Sequence, residues 1–404
     1  MTGQPGHREG RVRYVGAALA DGLNPELRRA VTIAVDGGVI TAISDGDADG
    51  DSAAGLPGDV VDASGATIVP GFVDCHSHLT LQGGAQWIAR GADPTADLVA
   101  AAERNAEALI RSGVRWVRDV GSPRRPDAGD GRDRAVALGL RDRWHGRHDV
   151  LYIKAAGTWL TKAGSLPAGL AIEVSDADGL LAATLGQLAD GADLVKLYLD
   201  GPDAGVAPWS ADEVRRVVDA VHARGATVAA HGSGLANCRL GADAGVDTLE
   251  HGFALDEDIA ATMAANGVTL VTTLSVMHSW LTFGSTTTIE RFTGETSRSA
   301  IMERLEMAEH SVMLAARAGV AIAAGSDFGG GSVRAGHLAW EVEALVKAGL
   351  EPWQALGAAT WQGGSVLGDP DAGRITVGGP AHFTLVHGDP LADPSALWRV
   401  WGVV

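Results

Sequence analysis

Two imidazoles, His76 and His78, stand at i and i+2 just after the apolar run Ile68-Val69-Pro70-Gly71-Phe72-Val73. In an extended chain that spacing puts both rings on one side, where two neutral imidazoles can clamp a metal ion. A lone His-x-His pair is also an ordinary surface occurrence. Lys196 lies inside Asp193-Leu194-Val195-Lys196-Leu197-Tyr198-Leu199, a strand otherwise suited to burial on both faces. An unpaired ammonium there would be very costly. Either it forms an ion pair with Asp200 or a residue of the next strand, or its deprotonated amine takes up CO2. The resulting carbamate is an anionic two-oxygen ligand able to bridge two cations. His231 ends Ala226-Thr227-Val228-Ala229-Ala230, His251 ends Val246-Asp247-Thr248-Leu249-Glu250, and Asp327 follows Val320-Ala321-Ile322-Ala323-Ala324-Gly325-Ser326. Taken singly, each is a satisfied core histidine or a helix-capping aspartate.

The elements that carry these residues repeat. A helical stretch ends at a glycine, and a short apolar strand follows at once, at Gly113, Gly191, Gly225, Gly245, Gly267 and Gly319. Ser210 with Glu213 reads as a capping box ahead of the stripe Val214, Val217, Val218 and Val221. Ser175 with Asp178 is a weaker version. Adding strands near Ile68–Val73 and Val150–Ala155 gives eight strands alternating with helices, which can close as a (β/α)8 TIM barrel or stay an open doubly wound sheet. The chemistry decides between them. Carboxyl ends of parallel strands surround one pocket in a closed barrel, whereas an open sheet spreads them along an edge. Several metal-ligating residue types at separate strand ends therefore favour the barrel.

Both chain ends have a different texture. Val31-Thr32-Ile33-Ala34-Val35, the turn Asp36-Gly37-Gly38 and Val39-Ile40 read as hairpins, and Arg374-Ile375-Thr376-Val377 with Phe383-Thr384-Leu385-Val386 returns to that pattern. The two ends are expected to form one β domain from 9–66 and 371–404, leaving 67–370 as the barrel.

Composition removes other classes. The 404 residues are 46% apolar and 20% charged, so the chain can bury a large core and is not a disordered polar segment. A net charge of −18 without a Lys/Arg cluster argues against nucleic-acid and anionic-membrane partners. Two cysteines, Cys75 and Cys238, do not make a disulfide framework. The polar Met1–Gly10 is not a signal-peptide core, and no apolar stretch is long enough to span a bilayer, so a cytoplasmic protein is expected.

As an ordered set, Val69-Pro70-Gly71-Phe72-Val73-Asp74-Cys75-His76-Ser77-His78, Val117-Arg118-Asp119-Val120-Gly121, Asp193-Leu194-Val195-Lys196, Ala230-His231-Gly232, Glu250-His251-Gly252 and Gly325-Ser326-Asp327 resemble the amidohydrolase superfamily, in its imidazolonepropionase-like and prolidase-like branch. Gly373-Arg374-Ile375-Thr376-Val377-Gly378 is similar to the segment by which that family returns to its β-sandwich. The resemblance implies that His76, His78, Lys196 and Asp327 hold one divalent metal, usually zinc, and that carboxylated Lys196, His231 and His251 hold a second. It further implies amide hydrolysis by a metal-bridging hydroxide, with Asp327 as base and then acid. The substrate would be a dipeptide, an N-acyl amino acid or a cyclic amide, with an ester or lactone chemically close.

One departure bears on specificity. Where prolidase-like relatives carry Gly-Gly-His-Gly, this chain has Lys162-Ala163-Gly164-Ser165-Leu166. Tyr198, two residues beyond Lys196, is a candidate substrate contact, as are His337 and Arg334 in the segment after the last strand. Gly329-Gly330-Gly331 is a mobile segment or a turn, and not a phosphate loop. Two rivals remain: a mononuclear deaminase or imidazolonepropionase-type ring opener, and a metal-free barrel that only binds. Gly234 stands where deaminase-like relatives place a Glu, and none of the ligand types is lost. A homo-oligomer is common among relatives, but nothing in the sequence sets a subunit number.

Overall fold

The computed structural model describes residues 10–46, 58–127, 129, 131–147, 149–167, 169–203 and 205–404. The polar segment 1–9 and part of the expected hairpin region, 47–57, lie outside the described residues.

The barrel strands are Phe72–Ser77, Val114–Asp119, Tyr152–Ala155, Leu194–Tyr198, Thr227–Gly232, Thr248–His251, Thr269–Thr272 and Ile322–Ala324. Every neighbouring pair within the two ladders they form is parallel. Backbone bonds join the ladders at both seams. Asp193 N donates to Ala155 O at 2.9 Å, Asp327 N to His76 O at 2.8 Å and His78 N to Phe328 O at 2.9 Å. The sheet is thus a closed TIM-like barrel, and its strands share one carboxyl-terminal rim.

Local signals explain much of this. The glycines that end the helical stretches, Gly113, Gly191, Gly225, Gly245, Gly267 and Gly319, all have φ between 69° and 94°. Side chains other than glycine rarely tolerate that conformation, so each glycine stops its helix and releases the chain into the next strand. The Ser210–Glu213 capping box forms in both directions at the start of Ala211–His222, and the stripe Val214, Val217, Val218 and Val221 is buried. The second cap differs from expectation. Asp176, extended at φ −146°, accepts from Gly179 N at 2.8 Å, so the cap is one residue beyond Ser175.

The first barrel strand also begins later than the apolar run implied. Ala66–Pro70 pairs antiparallel with Phe383–His387 in the terminal sheet, and the barrel strand starts only at Phe72. Gly71 is the crossing point: its amide donates to His382 O at 2.9 Å, and a Cβ there would press on the Trp116 ring at 3.0 Å.

Both chain ends do meet in one β domain, a sheet of seven strands. It branches at Arg11–Leu19, whose residues 12–15 pair with Asp59–Asp62 while Ala18 and Leu19 pair with Thr67 and Ile68. Arg28–Asp36 and Val39–Asp45 form the expected hairpin. Arg374–Val377 is not a strand; the turn that follows it bonds to Ile40 instead, through Gly378 N to Ile40 O at 2.8 Å and Ile40 N to Gly379 O at 2.9 Å. The domain has its own core, in which Phe383 meets Tyr14 edge to face at 5.1 Å. Among the described residues no helix is long and apolar enough to cross a membrane.

Because Phe383 is fully buried and comes from the opposite end of the chain to Tyr14, Phe383→Ala is expected to cost about 3–4 kcal/mol through lost burial and the cavity left behind. Urea unfolding followed by circular dichroism measures it; a change below about 1 kcal/mol would mean that the two ends do not share a core.

Candidate active site

The barrel rim brings His76, His78, Lys196, His231, His251 and Asp327 into one cavity of about 350 Å³. His76 and His251 have ring centroids 4.6 Å apart, and His251 and His231 are 4.5 Å apart. Asp327 Oδ1 lies 3.6 Å from His76 Nε2 and 3.4 Å from His78 Nε2, and ligand atoms of these three residues fall within 4.8 Å of one another.

Each imidazole has one nitrogen held by the protein. His76 Nδ1 is 2.6 Å from Glu250 Oε2, and His78 Nδ1 donates to Gly121 O at 2.8 Å. His251 Nδ1 is 2.7 Å from Thr273 Oγ1, and His231 Nε2 is 3.1 Å from Asp200 Oδ2. The second nitrogen of each ring is left as a potential ligand atom, the arrangement by which outer partners fix the tautomer and orientation of metal-binding histidines. Burial, with Lys196 close by, holds His76 and His251 well below the ordinary histidine range, so both are neutral and able to coordinate.

The partners are themselves anchored. Glu250 Oε1 accepts from Arg118 Nη2 at 2.7 Å; burial alone would raise the Glu250 carboxyl, but Arg118 and Lys196 hold it below the ordinary range. Asp200 accepts from Asn237 Nδ2 at 2.7 Å and Ser233 N at 3.1 Å, and the Ser233 hydroxyl also bonds to it. Burial again opposes ionisation, but His231 and Ser233 keep Asp200 below the usual carboxylate range. Asp74 accepts from Ser326 Oγ at 2.5 Å, fixing the residue before Asp327.

Lys196 is buried, and among the described residues its Nζ has no hydrogen-bond partner. The ion pair with Asp200 that the sequence allowed does not form, since Asp200 is turned to His231, Ser233 and Asn237. Burial, assisted by Arg118, pushes the amine down from 10.5 to about 8 against the opposing pull of Glu250 and Asp327. Strain is concentrated here as well. Among the described residues only Ala30, His251 and Asp327 have positive φ without being glycine, at 69° for His251 and 50° for Asp327. The Gly329–Gly331 run serves close packing: a Cβ on Gly330 would overlap the His78 ring, and one on Gly331 would come within 2.8 Å of Asp327 Oδ2.

Of the three candidate substrate contacts, Tyr198 lines the cavity and stacks on His231 at 4.1 Å. Burial raises its phenol above the ordinary range, so it remains a hydrogen-bond donor. Arg334 and His337 are not part of the cavity. Arg334 borders a separate depression beside Gly84, and His337 packs edge-on against Trp398 at 5.5 Å. The chain turns away after Gly331, a direction that strand spacing did not reveal. Cys75 and Cys238 are buried free thiols, pushed up to about 12 by burial, and supply no nucleophile.

The amidohydrolase family profile matches residues 67–404. The chain belongs to the amidohydrolase family. An uncharacterized protein of Mycobacterium tuberculosis is 33% identical over 317 residues, 76% of either chain. The ochratoxinase of Aspergillus niger is 26% identical over 229 residues, covering 53% of this chain and 46% of that enzyme. A solved Xaa-Pro dipeptidase with methionine bound in its active site is 26% identical and superposes with a TM-score of 0.81 over 97% of each chain.

Several residues around this amidohydrolase site carried no sequence signal. Trp87, Leu170, Phe253 and Arg304 line the cavity; only Phe253 lies close behind a barrel strand, two residues past His251, and Arg304 lies in the middle of the helix Glu295–Arg317. Glu250 and Arg118 stand inside Glu250-His251-Gly252 and Val117-Arg118-Asp119-Val120-Gly121, and a charged residue in a buried strand is the signal that marks them as a pair. In this amidohydrolase Thr273→Val is expected to lower retention of an added divalent metal about tenfold in competition with a chelator, because His251 loses its orienting partner. Gly330→Ala, which drives a methyl group into His78, is expected to lower it further; unchanged retention in both would show that these rings are not metal ligands.

Proposed function

We propose that the chain is a binuclear metal-dependent hydrolase that cleaves an amide bond in a small substrate. The observation that carries this is the set of four imidazoles, each tied through one nitrogen, facing a buried, unpartnered Lys196 and Asp327 in one cavity. That donor set fits two divalent cations, zinc by expectation. His76, His78, Lys196 and Asp327 would hold one, and Lys196, His231 and His251 the other. Metal ions bound there would polarise the scissile carbonyl and acidify water.

The protein's own groups do the rest. The neutral Lys196 amine adds to the carbon of CO2, forming an N–C bond and releasing one proton, and the carbamate so made turns a costly buried amine into a charge-matched ligand. Asp327 takes the proton of the attacking water and passes it to the leaving amine. Tyr198, protonated and beside His231, is placed to donate to the oxyanion or to a substrate oxygen. The likeness to a Xaa-Pro dipeptidase and to an ochratoxinase supports the amide reading over an ester or lactone.

Protein reconstituted with zinc and bicarbonate is expected to bind two zinc ions per chain and to turn over members of a panel of dipeptides, N-acyl amino acids, lactams and lactones. Asp327→Asn should lose about 1,000-fold in kcat, and Lys196→Ala should bind at most one zinc. A single zinc in the wild type, or full activity in Asp327→Asn, sinks the reading. Carboxylation has its own readout. With the amine lowered to about 8, its neutral fraction grows as pH rises through that value. At constant dissolved 13CO2 the carbamate signal of metal-free protein should therefore increase from about pH 7 to about pH 9, and be absent in Lys196→Ala.

A further inference from the structure

The cavity above the imidazoles is lined by two chemically distinct groups of residues. One is apolar and flat: Trp87 and Trp280 stack at 6.3 Å, with Ile88 and Leu170 beside the same turn. The other follows a row of rings, from Tyr198 on His231 at 4.1 Å to His251 at 4.5 Å and on to Phe253 at 5.3 Å. Arg304 ends that row, with its Cζ 5.0 Å from the Phe253 ring centroid.

Among the described residues Arg304 is the only arginine lining the cavity, and it has no carboxylate partner there. Most arginines around the barrel differ: Arg118, Arg124, Arg134, Arg141, Arg215 and Arg239 are each within ion-pair distance of an acid. The contact with the Phe253 ring uses no N–H donor, so the guanidinium keeps its donors for paired donation to a carboxylate. The anions of the cavity are already committed. Asp200 holds His231, Ser233 and Asn237, and Asp327 faces His76 and His78. A substrate ammonium would therefore find no free carboxylate, whereas a substrate carboxylate finds a free guanidinium.

Resting on the amide-hydrolase reading, we propose that Arg304 reads a free carboxylate on the substrate's leaving amine, and that the Trp87–Trp280 wall receives a flat apolar acyl group. The substrate class is then an N-acyl amino acid with an aromatic acyl part, in preference to a dipeptide with a free amino terminus. Arg304 acts in binding, so its loss should appear in KM and in Kd more than in kcat.

Calorimetry and turnover of the zinc-loaded protein with N-(2-naphthoyl)glycine and N-(2-naphthoyl)glycinamide, which differ only in the charged end, test this. Wild type is expected to prefer the acid about 30-fold in Kd. Arg304→Met should bring the ratio near one with an unchanged thermal unfolding midpoint, and Arg304→Lys should restore part of it. A wild-type ratio near one, or a ratio that survives in Arg304→Met, overturns the proposal whether or not the probes are hydrolysed. If the acid is bound preferentially through Arg304 but no amide in the wider panel is cut, the carboxylate site stands and the hydrolase reading falls.

Discussion

A lysine amine deep in a protein, with no hydrogen-bond partner among the described residues, is an unstable arrangement, and the site is organised around that constraint. Lys196 lies buried within a barrel strand. Desolvation drives the amine toward its neutral form. A neutral amine is a nucleophile, and a neutral imidazole is a ligand. The same burial that lowers the Lys196 amine to about 8 keeps His76 and His251 uncharged. One physical cause thus prepares three groups for coordination.

Precision comes from the layer behind. Arg118 and Glu250 form a fully buried ion pair, an arrangement that contributes little net stability but fixes geometry when every lone pair is used. Arg118 Nε also donates to Cys75 O at 2.6 Å and Nη1 to Thr248 Oγ1 at 2.9 Å, so strands one, two and six of the barrel are locked to each other behind His76. Asp119 plays a similar part by accepting from Leu79 N at 2.7 Å and Gly121 N at 3.1 Å, shaping the turn whose carbonyl orients His78. The positive φ at His251 and Asp327 is a local cost that this packing sustains.

The two chain ends serve the site at a distance. Ala66–Pro70 is held in the terminal sheet by Phe383–His387, and the next residues enter the barrel through Gly71. His76 therefore begins only a few residues from a strand anchored in another domain, and the first barrel strand is held from both sides.

Much of this was legible in the residues themselves. The helix-ending glycines, the capping box before Ala211, the placement of His76, His78, His231, His251 and Asp327 at or just beyond strand ends and that of Lys196 inside a buried strand are all local features, set by backbone conformations and by periodicities that a linear chain displays. The same local features start the first strand too early and make Arg374–Val377 look like a strand, because an apolar β-rich run looks the same whichever sheet it joins. What only the tertiary structure decided is direction. Asp200 turns to His231 and leaves Lys196 alone, Arg334 and His337 turn out of the cavity, and Arg304 turns in from a helix with no motif to mark it. Type and spacing determine which chemistry a chain can perform; which groups actually face one another depends on how distant segments pack, and that is not encoded in any short stretch of sequence.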